Sequence, residues 1–137
     1  MLTLPRRVYD EIVHRARGAD VEVCGVLAGD YGAEESRVVD EHPAANAAAT
    51  PATRYRIDPE DLLAILEAIG ADGREVVGFY HSHPTGPTGP SETDAERATW
   101  TGYSYAICAL DGYPYLGSWR WDGAAFRREA VAVVDGA

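Results

Sequence analysis

The stretch from His81 to Asp94 constrains the chain most, because it fixes two histidines and an aspartate at a short spacing. The apolar residues 75–80 before it predict a buried strand. A helix is predicted to begin at Ser91, and a loop rich in proline and glycine lies between the two elements. This order of strand, loop and helix predicts a functional site whose side chains are held by regular secondary structure and whose mouth is open to solvent.

The spacing of the two histidines suits a metal ion. Side chains at positions i and i+2 of a strand point to the same face, about 6–7 Å apart at Cα. Two imidazoles there can converge on one zinc ion at about 2.0–2.1 Å, and the carboxylate of Asp94 can supply a third protein ligand. Such a set leaves a position for water, as in catalytic zinc sites, and zinc lowers the pKa of that water to about 7.

Each part of this stretch also has a simpler interpretation. An isolated pair such as His81 and His83 binds no metal in most proteins. The run from Ser91 to Asp94 fits a capping box, with Ser91 as N-cap and Asp94 at N3. The proline and glycine residues fit an ordinary turn. None of these interpretations explains the whole ordered set, so the metal hypothesis is favoured and the capping box stays open beside it.

The pattern resembles the JAMM motif of the MPN-plus metallopeptidases. It reads His81-x-His83, seven residues, then Ser91-x-x-Asp94, and the family also has a glutamate just before Cys-Gly, where this chain has Glu22. The resemblance implies that His81, His83 and Asp94 bind Zn²⁺. It implies that Glu22 is the general acid/base on the zinc-bound water, and that Ser91 helps to hold the tetrahedral oxyanion. The resemblance extends over nearly the whole chain, but only these motif residues are specific.

The remaining patterns predict helices that alternate with strands. Helices are predicted at 4–17 and 58–70, and strands at 21–28, 36–41, 103–110, 115–120 and 126–134. Thr3 and Asp58 are the predicted N-caps, and Asp111-Gly112 predicts a hairpin turn. The order predicts one α/β domain over residues 1–137, with a mixed β-sheet sandwiched by helices. The resemblance implies the MPN (JAMM) fold, which is cytidine-deaminase-like.

Three further positions carry expectations. Glu22 is unusual because a carboxylate on a doubly buried strand is costly unless it is paired or used, and the alternative is a strand end exposed to water. Cys24 and Cys108 are predicted to be small buried residues. Asn46 is expected either to line the substrate groove or to serve as a turn residue.

Composition excludes some function classes. The net charge of −10 argues against nucleic acid as a partner. No apolar run approaches 18 residues and no signal-peptide pattern is visible, which predicts no membrane partner and a cytoplasmic protein. Trp119 and Trp121 can form either a core or an interface, so a homodimer stays open.

The resemblance also implies the substrate. The chain is similar to short bacterial members that act on ubiquitin-like (β-grasp) sulfur-carrier proteins with a Gly-Gly C-terminus. We expect hydrolysis of the bond after Gly-Gly, with release of cysteine from a carrier–cysteine adduct. The alternatives are an isopeptidase that removes ubiquitin-like modifiers from lysines, in the manner of a deubiquitinase, and a catalytically inactive MPN scaffold. We expect the tail to pair with a sheet edge, either at the strand that ends at Tyr80 or at the loop around Asn46.

Two other classes fit the sequence less well. Zinc deaminases show His-x-Glu and Pro-Cys-x-x-Cys, and this chain has neither. A RadC-like DNA-repair protein would share the histidine motif but is expected to lack Glu22.

Overall fold

The computed structural model describes residues 1–111 and 115–135. The helices are α1 (Arg6–Arg17), α2 (Pro59–Ala71) and α3 (Glu92–Arg97). The strands are β1 (Leu2–Pro5), β2 (Cys24–Asp30), β3 (Ser36–Ala44), β4 (Glu75–His83), β5 (Ser104–Ala109), β6 (Tyr115–Trp121), β7 (Phe126–Glu129) and β8 (Val131–Val134). Among the described residues, no helix is both long and apolar enough to cross a membrane.

One mixed sheet holds all of these strands, in the order β7-β6-β5-β4-β2-β3-β1-β8. Strand β4 lies inside it, antiparallel to β2 and parallel to β5. The end strands β7 and β8 are separated in sequence only by Ala130, so the sheet curves until its two ends approach each other. The predicted mixed sheet is confirmed.

Helices cover both faces of the sheet, as predicted. On one face α1 buries Val8 and Ile12 in a cluster that contains Leu27. On the other face α2 buries Ile65 in a second cluster that contains Val26. Val26 and Leu27 are neighbours in β2 and reach opposite faces because side chains alternate along a strand. Burying a side chain of this size contributes about 1.5–3 kcal/mol, so the two clusters fix where β4 lies between the helices.

The N-terminal helix begins later than predicted. Leu2 and Leu4 are fully buried in β1, which pairs in parallel with β3 and β8. Pro5 occupies the N-cap position without a side-chain hydrogen bond, so the predicted Thr3 cap is wrong. The apolar spacing from Leu4 to Val8 has helical period although Leu4 lies in a strand. By contrast, the Asp58 cap of α2 is confirmed, since Asp58 Oδ2 accepts from the Asp61 amide at 3.1 Å.

Several strand limits also differ from the predictions. Strand β2 begins at Cys24, so Glu22 precedes the strand, and β3 continues to Ala44. The segment predicted as one closing strand, 126–134, is interrupted at Ala130, where the chain passes from one end of the sheet to the other. Gly112 of the predicted hairpin turn lies outside the described residues.

The aromatic residues near the end of the chain belong to the core. Trp119 and Trp121 are only 9% and 8% exposed. Of the two expectations for them, an interface or a core, the structure supports the core. Cys24 and Cys108 are both buried with free thiols, as predicted.

Glu129 connects the strands where the sheet closes. Its Oε2 accepts from the hydroxyls of Ser104 at 2.6 Å and Ser118 at 2.7 Å, and its Oε1 accepts from Nε of Arg120 at 3.0 Å. Arg120 also donates to Ser36 Oγ at 3.2 Å, which links this group to β3. Burial opposes ionisation of Glu129, but these donors outweigh it and hold the pKa of Glu129 below its usual value.

We predict that Glu129→Ala destabilises the fold by about 3–5 kcal/mol, because it leaves the largely buried Arg120 guanidinium without its carboxylate. Urea unfolding measures the loss. The control is Glu34→Ala, which removes an exposed carboxylate and should stay within about 0.5 kcal/mol of the original protein. Equal effects of the two substitutions would contradict the structural role of Glu129.

Candidate metal centre

Three side chains meet between β4 and α3. His81 Nε2 and His83 Nε2 lie 3.2 Å apart, and each lies 3.2 Å from Asp94 Oδ2. All three residues are buried. Tetrahedral zinc with bonds of about 2.0–2.2 Å separates neighbouring ligand atoms by about 3.3–3.6 Å. The triangle is therefore close to the size of one face of a zinc tetrahedron.

The surroundings of His83 indicate which of its two ring nitrogens carries the proton and which one presents a lone pair to Asp94. His83 Nδ1 lies 2.9 Å from the carbonyl oxygen of Pro87, which can only accept. Nδ1 therefore carries the proton of the neutral ring, and Nε2 presents its lone pair to the Asp94 carboxylate, which is also an acceptor. Two acceptors at this distance need a proton or a cation between them. A backbone carbonyl behind the histidine is also the usual support of a metal-binding imidazole, so the donor set fits a cation.

Glu22 lies beside the triangle with an unused oxygen. The residue is 4% exposed, and its Oε1 has no hydrogen-bond partner among the residues that the structure describes. A carboxylate oxygen of Glu22 and one nitrogen from each of His81 and His83 all lie within 4.8 Å of one another. Glu22, His81 and His83 are thus a second conceivable ligand set. Asp94 is the better third ligand because its oxygen is at zinc-edge distance from both nitrogens.

Burial and mutual charge shift the pKa values of these groups. Burial raises the pKa of Glu22 to about 7, with His83 opposing the shift and Asp94 adding to it. Burial lowers the pKa of His81. Burial alone would raise the pKa of Asp94, but the facing imidazoles of His81 and His83, which stabilise the carboxylate when they carry a proton, hold it well below its usual range. A divalent cation at the triangle would favour the deprotonated form of every group here.

Ser91 and Asp94 form the capping box that the sequence left open, and the same bonds serve the triangle. Ser91 Oγ accepts from the Asp94 amide at 3.0 Å, and Asp94 Oδ2 accepts from the Ser91 amide at 2.9 Å. That Oδ2 atom is the one that faces both histidines. The cap therefore aims the carboxylate into the site. Capping uses one lone pair of the Ser91 hydroxyl, and its proton remains available to a substrate oxygen.

Two residues of the site were missed by the sequence analysis. Ser82 is fully buried; its Oγ accepts from the Val23 amide at 2.9 Å, and its own amide donates to the Val23 carbonyl at 3.0 Å. These bonds tie the segment that carries Glu22 to the strand that carries the histidines. Tyr55 stacks on His81 with ring centroids 4.1 Å apart and planes 16° apart. The sequence contained a usable signal for Ser82, because a serine inside a predicted buried strand needs a hydrogen-bond partner. It contained no comparable signal for Tyr55.

A cavity of about 340 Å³ is lined in part by Tyr55, the residue that stacks on His81. Its walls include the aromatic rings of Phe79, Trp100 and Tyr105. Strand β4, which carries the histidines, has both edges paired, so the expectation that the strand ending at Tyr80 offers an edge to a substrate tail is wrong. The cavity and the loop before α2 are two surfaces that lie near the site.

Comparison with known proteins assigns the family. Residues 5–122 match the family model described as prokaryotic homologs of the JAB domain. The chain is 47% identical to a desampylase of Haloferax volcanii over 96% of each protein. It is 37% identical to a probable TtuB-protein conjugate cleaving protease of Thermus thermophilus, over 82% of this chain and 72% of that one. It is 33% identical to the CysO-cysteine peptidase of Mycobacterium tuberculosis, over 90% of this chain and 84% of that one.

The fold and the matches define a peptidase of the JAMM class, a family of zinc-dependent hydrolases. The chain belongs to the prokaryotic JAB-domain homologs within that class. The family resemblance and the enzyme class predicted from the sequence are confirmed.

We predict about one zinc per purified chain. Asp94→Ala, or the pair His81→Ala and His83→Ala, should abolish binding because each removes part of the triangle, whereas Glu22→Gln should retain the metal. Elemental analysis of the purified proteins measures this. His42→Ala, on β3, is the control and should keep full occupancy. Loss of zinc from Glu22→Gln together with retention in Asp94→Ala would show that Glu22 is the third ligand.

Proposed function

We propose that this protein is a zinc metallopeptidase that hydrolyses the bond after the C-terminal Gly-Gly of a ubiquitin-like protein. One observation carries the proposal: the unpartnered carboxylate oxygen of Glu22 lies beside the triangle of His81, His83 and Asp94. A buried polar atom left unpaired costs about 1–3 kcal/mol, so a reacting group that pairs with it explains why it is kept.

Each residue has a distinct role in the proposed reaction. His81, His83 and Asp94 would hold Zn²⁺, which would supply Lewis-acid polarisation of the scissile carbonyl and a water with its pKa lowered to about 7. Glu22 accepts a proton from the attacking water at Oε1 and then gives it to the departing amine. The Ser91 hydroxyl donates to the carbonyl oxygen as negative charge develops there.

The buried site favours a slender substrate. The residues proposed to bind the metal are buried, so the scissile carbonyl must reach them through a narrow approach. Two glycines have no side chains that would obstruct it. The tail can pair with the loop around Asn46, since the backbone N–H and C=O of Tyr55 make no hydrogen bond within the described residues. A larger side chain that precedes the glycines can enter the cavity lined by Phe79 and Trp100. The proposed partner is a β-grasp carrier in the cytoplasm, and self-association is not needed for any of these contacts.

Two leaving groups fit this site. The first is cysteine, released from a carrier–cysteine adduct, and the 33% identity to a CysO-cysteine peptidase supports it. The second is the lysine of a protein conjugate. It is supported by the 37% identity to a protein named as a TtuB-protein conjugate cleaving protease.

We predict that Glu22→Gln and Ser91→Ala both keep zinc and lose turnover. Loss of the general base should lower kcat about 10²–10⁴-fold, and loss of the oxyanion donor about 10²–10³-fold. Removing the Ser91 cap should cost only ~1 kcal/mol of stability. Steady-state kinetics and urea unfolding measure the two effects. A Ser91→Ala enzyme with lowered stability but normal kcat would restrict Ser91 to its capping role.

We predict that the zinc-loaded protein cleaves a carrier ending in Gly-Gly-Cys to give free cysteine and an intact Gly-Gly carboxylate. Chelation should stop the reaction and added zinc should restore it. Mass spectrometry follows two substrates in parallel, the cysteine adduct and a lysine-linked conjugate of the same carrier, with Glu22→Gln as the inactive control. Cleavage of the conjugate alone would assign the second leaving group, and cleavage of neither would contradict the proposed function.

A further inference from the structure

Asn46 makes four hydrogen bonds, which use the full capacity of its side-chain amide. Nδ2 donates to the carbonyl oxygens of Glu22 at 2.8 Å and Arg54 at 2.9 Å. Oδ1 accepts from the amides of Ala48 and Arg56, both at 3.0 Å. Two carbonyls on one side and two N–H groups on the other fix the orientation of the amide uniquely.

The side chain at this position must donate and accept together. Asn46 is the only asparagine in the chain, and the sequence contains no glutamine. Aspartate has a similar shape but cannot donate, and serine has one donor in place of two. A side-chain amide is the group that meets all four demands.

The bonds of Asn46 join two segments that both reach the metal centre. One is the segment before β2, where Glu22 also donates its amide to the carbonyl of Pro51 at 2.7 Å. The other runs from Arg54 to Arg56 and presents Tyr55, whose ring lies flat on His81. One amide therefore holds the backbone of Glu22 and both neighbours of the ring that covers a proposed ligand.

We infer that Asn46 is a positioning residue of the catalytic site, a role that rests on the proposed peptidase function. Its donor bonds fix Glu22 relative to the histidines and press Tyr55 against His81, which restricts the rotation of that imidazole. The expected position in an open groove does not describe it, because every polar atom of its side chain is engaged in the protein. Since misplacement of a reacting group by about 1 Å can cost on the order of 10²-fold in rate, such a brace has catalytic value.

A loop that is held only for stability would behave differently. Asp61 provides the comparison, because its Oδ2 accepts from the amide of Ala45 at 2.8 Å, one residue before Asn46. Asp61 thus holds the same loop by the same kind of bond, and within the described residues it makes no hydrogen bond to Glu22. A stability role for Asn46 predicts that Asn46→Asp and Asp61→Ala have similar effects, and a positioning role predicts that they do not.

The experiment compares Asn46→Asp, Asn46→Ser and Asp61→Ala as full-length proteins. For both Asn46 variants we expect zinc content unchanged by elemental analysis, KM within about twofold, and kcat lowered about 10–100-fold. Asp61→Ala should keep kcat within about twofold at a comparable loss of melting temperature. If Asn46→Asp does not fold, Asn46→Ser decides the outcome, since it removes at least one of the two donor bonds without adding charge.

A second readout does not need turnover. The Tyr55 ring should shift the imidazole proton resonances of His81 upfield, and the shift should diminish in both Asn46 variants but persist in Asp61→Ala. Normal kcat in an Asn46 variant, equal losses of kcat in the Asn46 variants and Asp61→Ala, or an unchanged His81 resonance would each overturn the inference. If the original protein proves inactive while the resonance responds as expected, the proposed function fails and the contact between the loop and His81 stands.

Discussion

The site depends on one oxygen atom, Oδ2 of Asp94. It closes the capping box by accepting from the Ser91 amide and lies 3.2 Å from a nitrogen of each histidine. Because α3 spans only Glu92–Arg97, it has little intrinsic stability, and its start depends on this cap. The hydrogen bond from the Ser91 amide to Asp94 Oδ2 thus both begins the helix and orients the Asp94 carboxylate. A change that breaks this bond should therefore disrupt both α3 and the proposed metal site.

The sheet determines which way the histidines point. The pairing between β2 and β4 shifts register between Leu27 and Ala28, which leaves Val77 as the extra residue of a bulge. Beyond the bulge, Tyr80 packs in the cluster beneath α1, while Phe79 packs on the side of α2. His81 and His83 share the side of Phe79 by alternation and so face α3. Buried Tyr80 is held on the other side, where its hydroxyl donates to Glu41 at 2.5 Å and accepts from Arg15 at 3.0 Å.

The sequence analysis predicted the part of the site whose residues lie close together in the chain. It did not predict the contacts between residues that are distant in sequence and that the fold brings together. The motif from His81 to Asp94 lies on one strand, one loop and one helix, so its convergence follows from local geometry, and the structure places Glu22 beside it. Tyr55 was missed, and Asn46 was expected only to line a groove or to serve as a turn residue; both reach the site through a loop whose path depends on the placement of β3 and α2. Their contacts leave no periodic signal. The break at Ala130 escaped prediction because no glycine, proline or other turn residue marks it, and only closure of the sheet separates the two strands.

Structural metal sites and catalytic ones differ in whether a coordination position is left open. In the proposed site, three close donor atoms of His81, His83 and Asp94, with Glu22 farther away, would leave one position open. X-ray absorption of the zinc-loaded protein tests this most directly. We expect two imidazole nitrogens and two oxygen ligands at about 2.0–2.2 Å, with a spectrum that Glu22→Gln leaves unchanged. A zinc shell that loses a ligand in Glu22→Gln, or one that lacks either imidazole, would contradict the account.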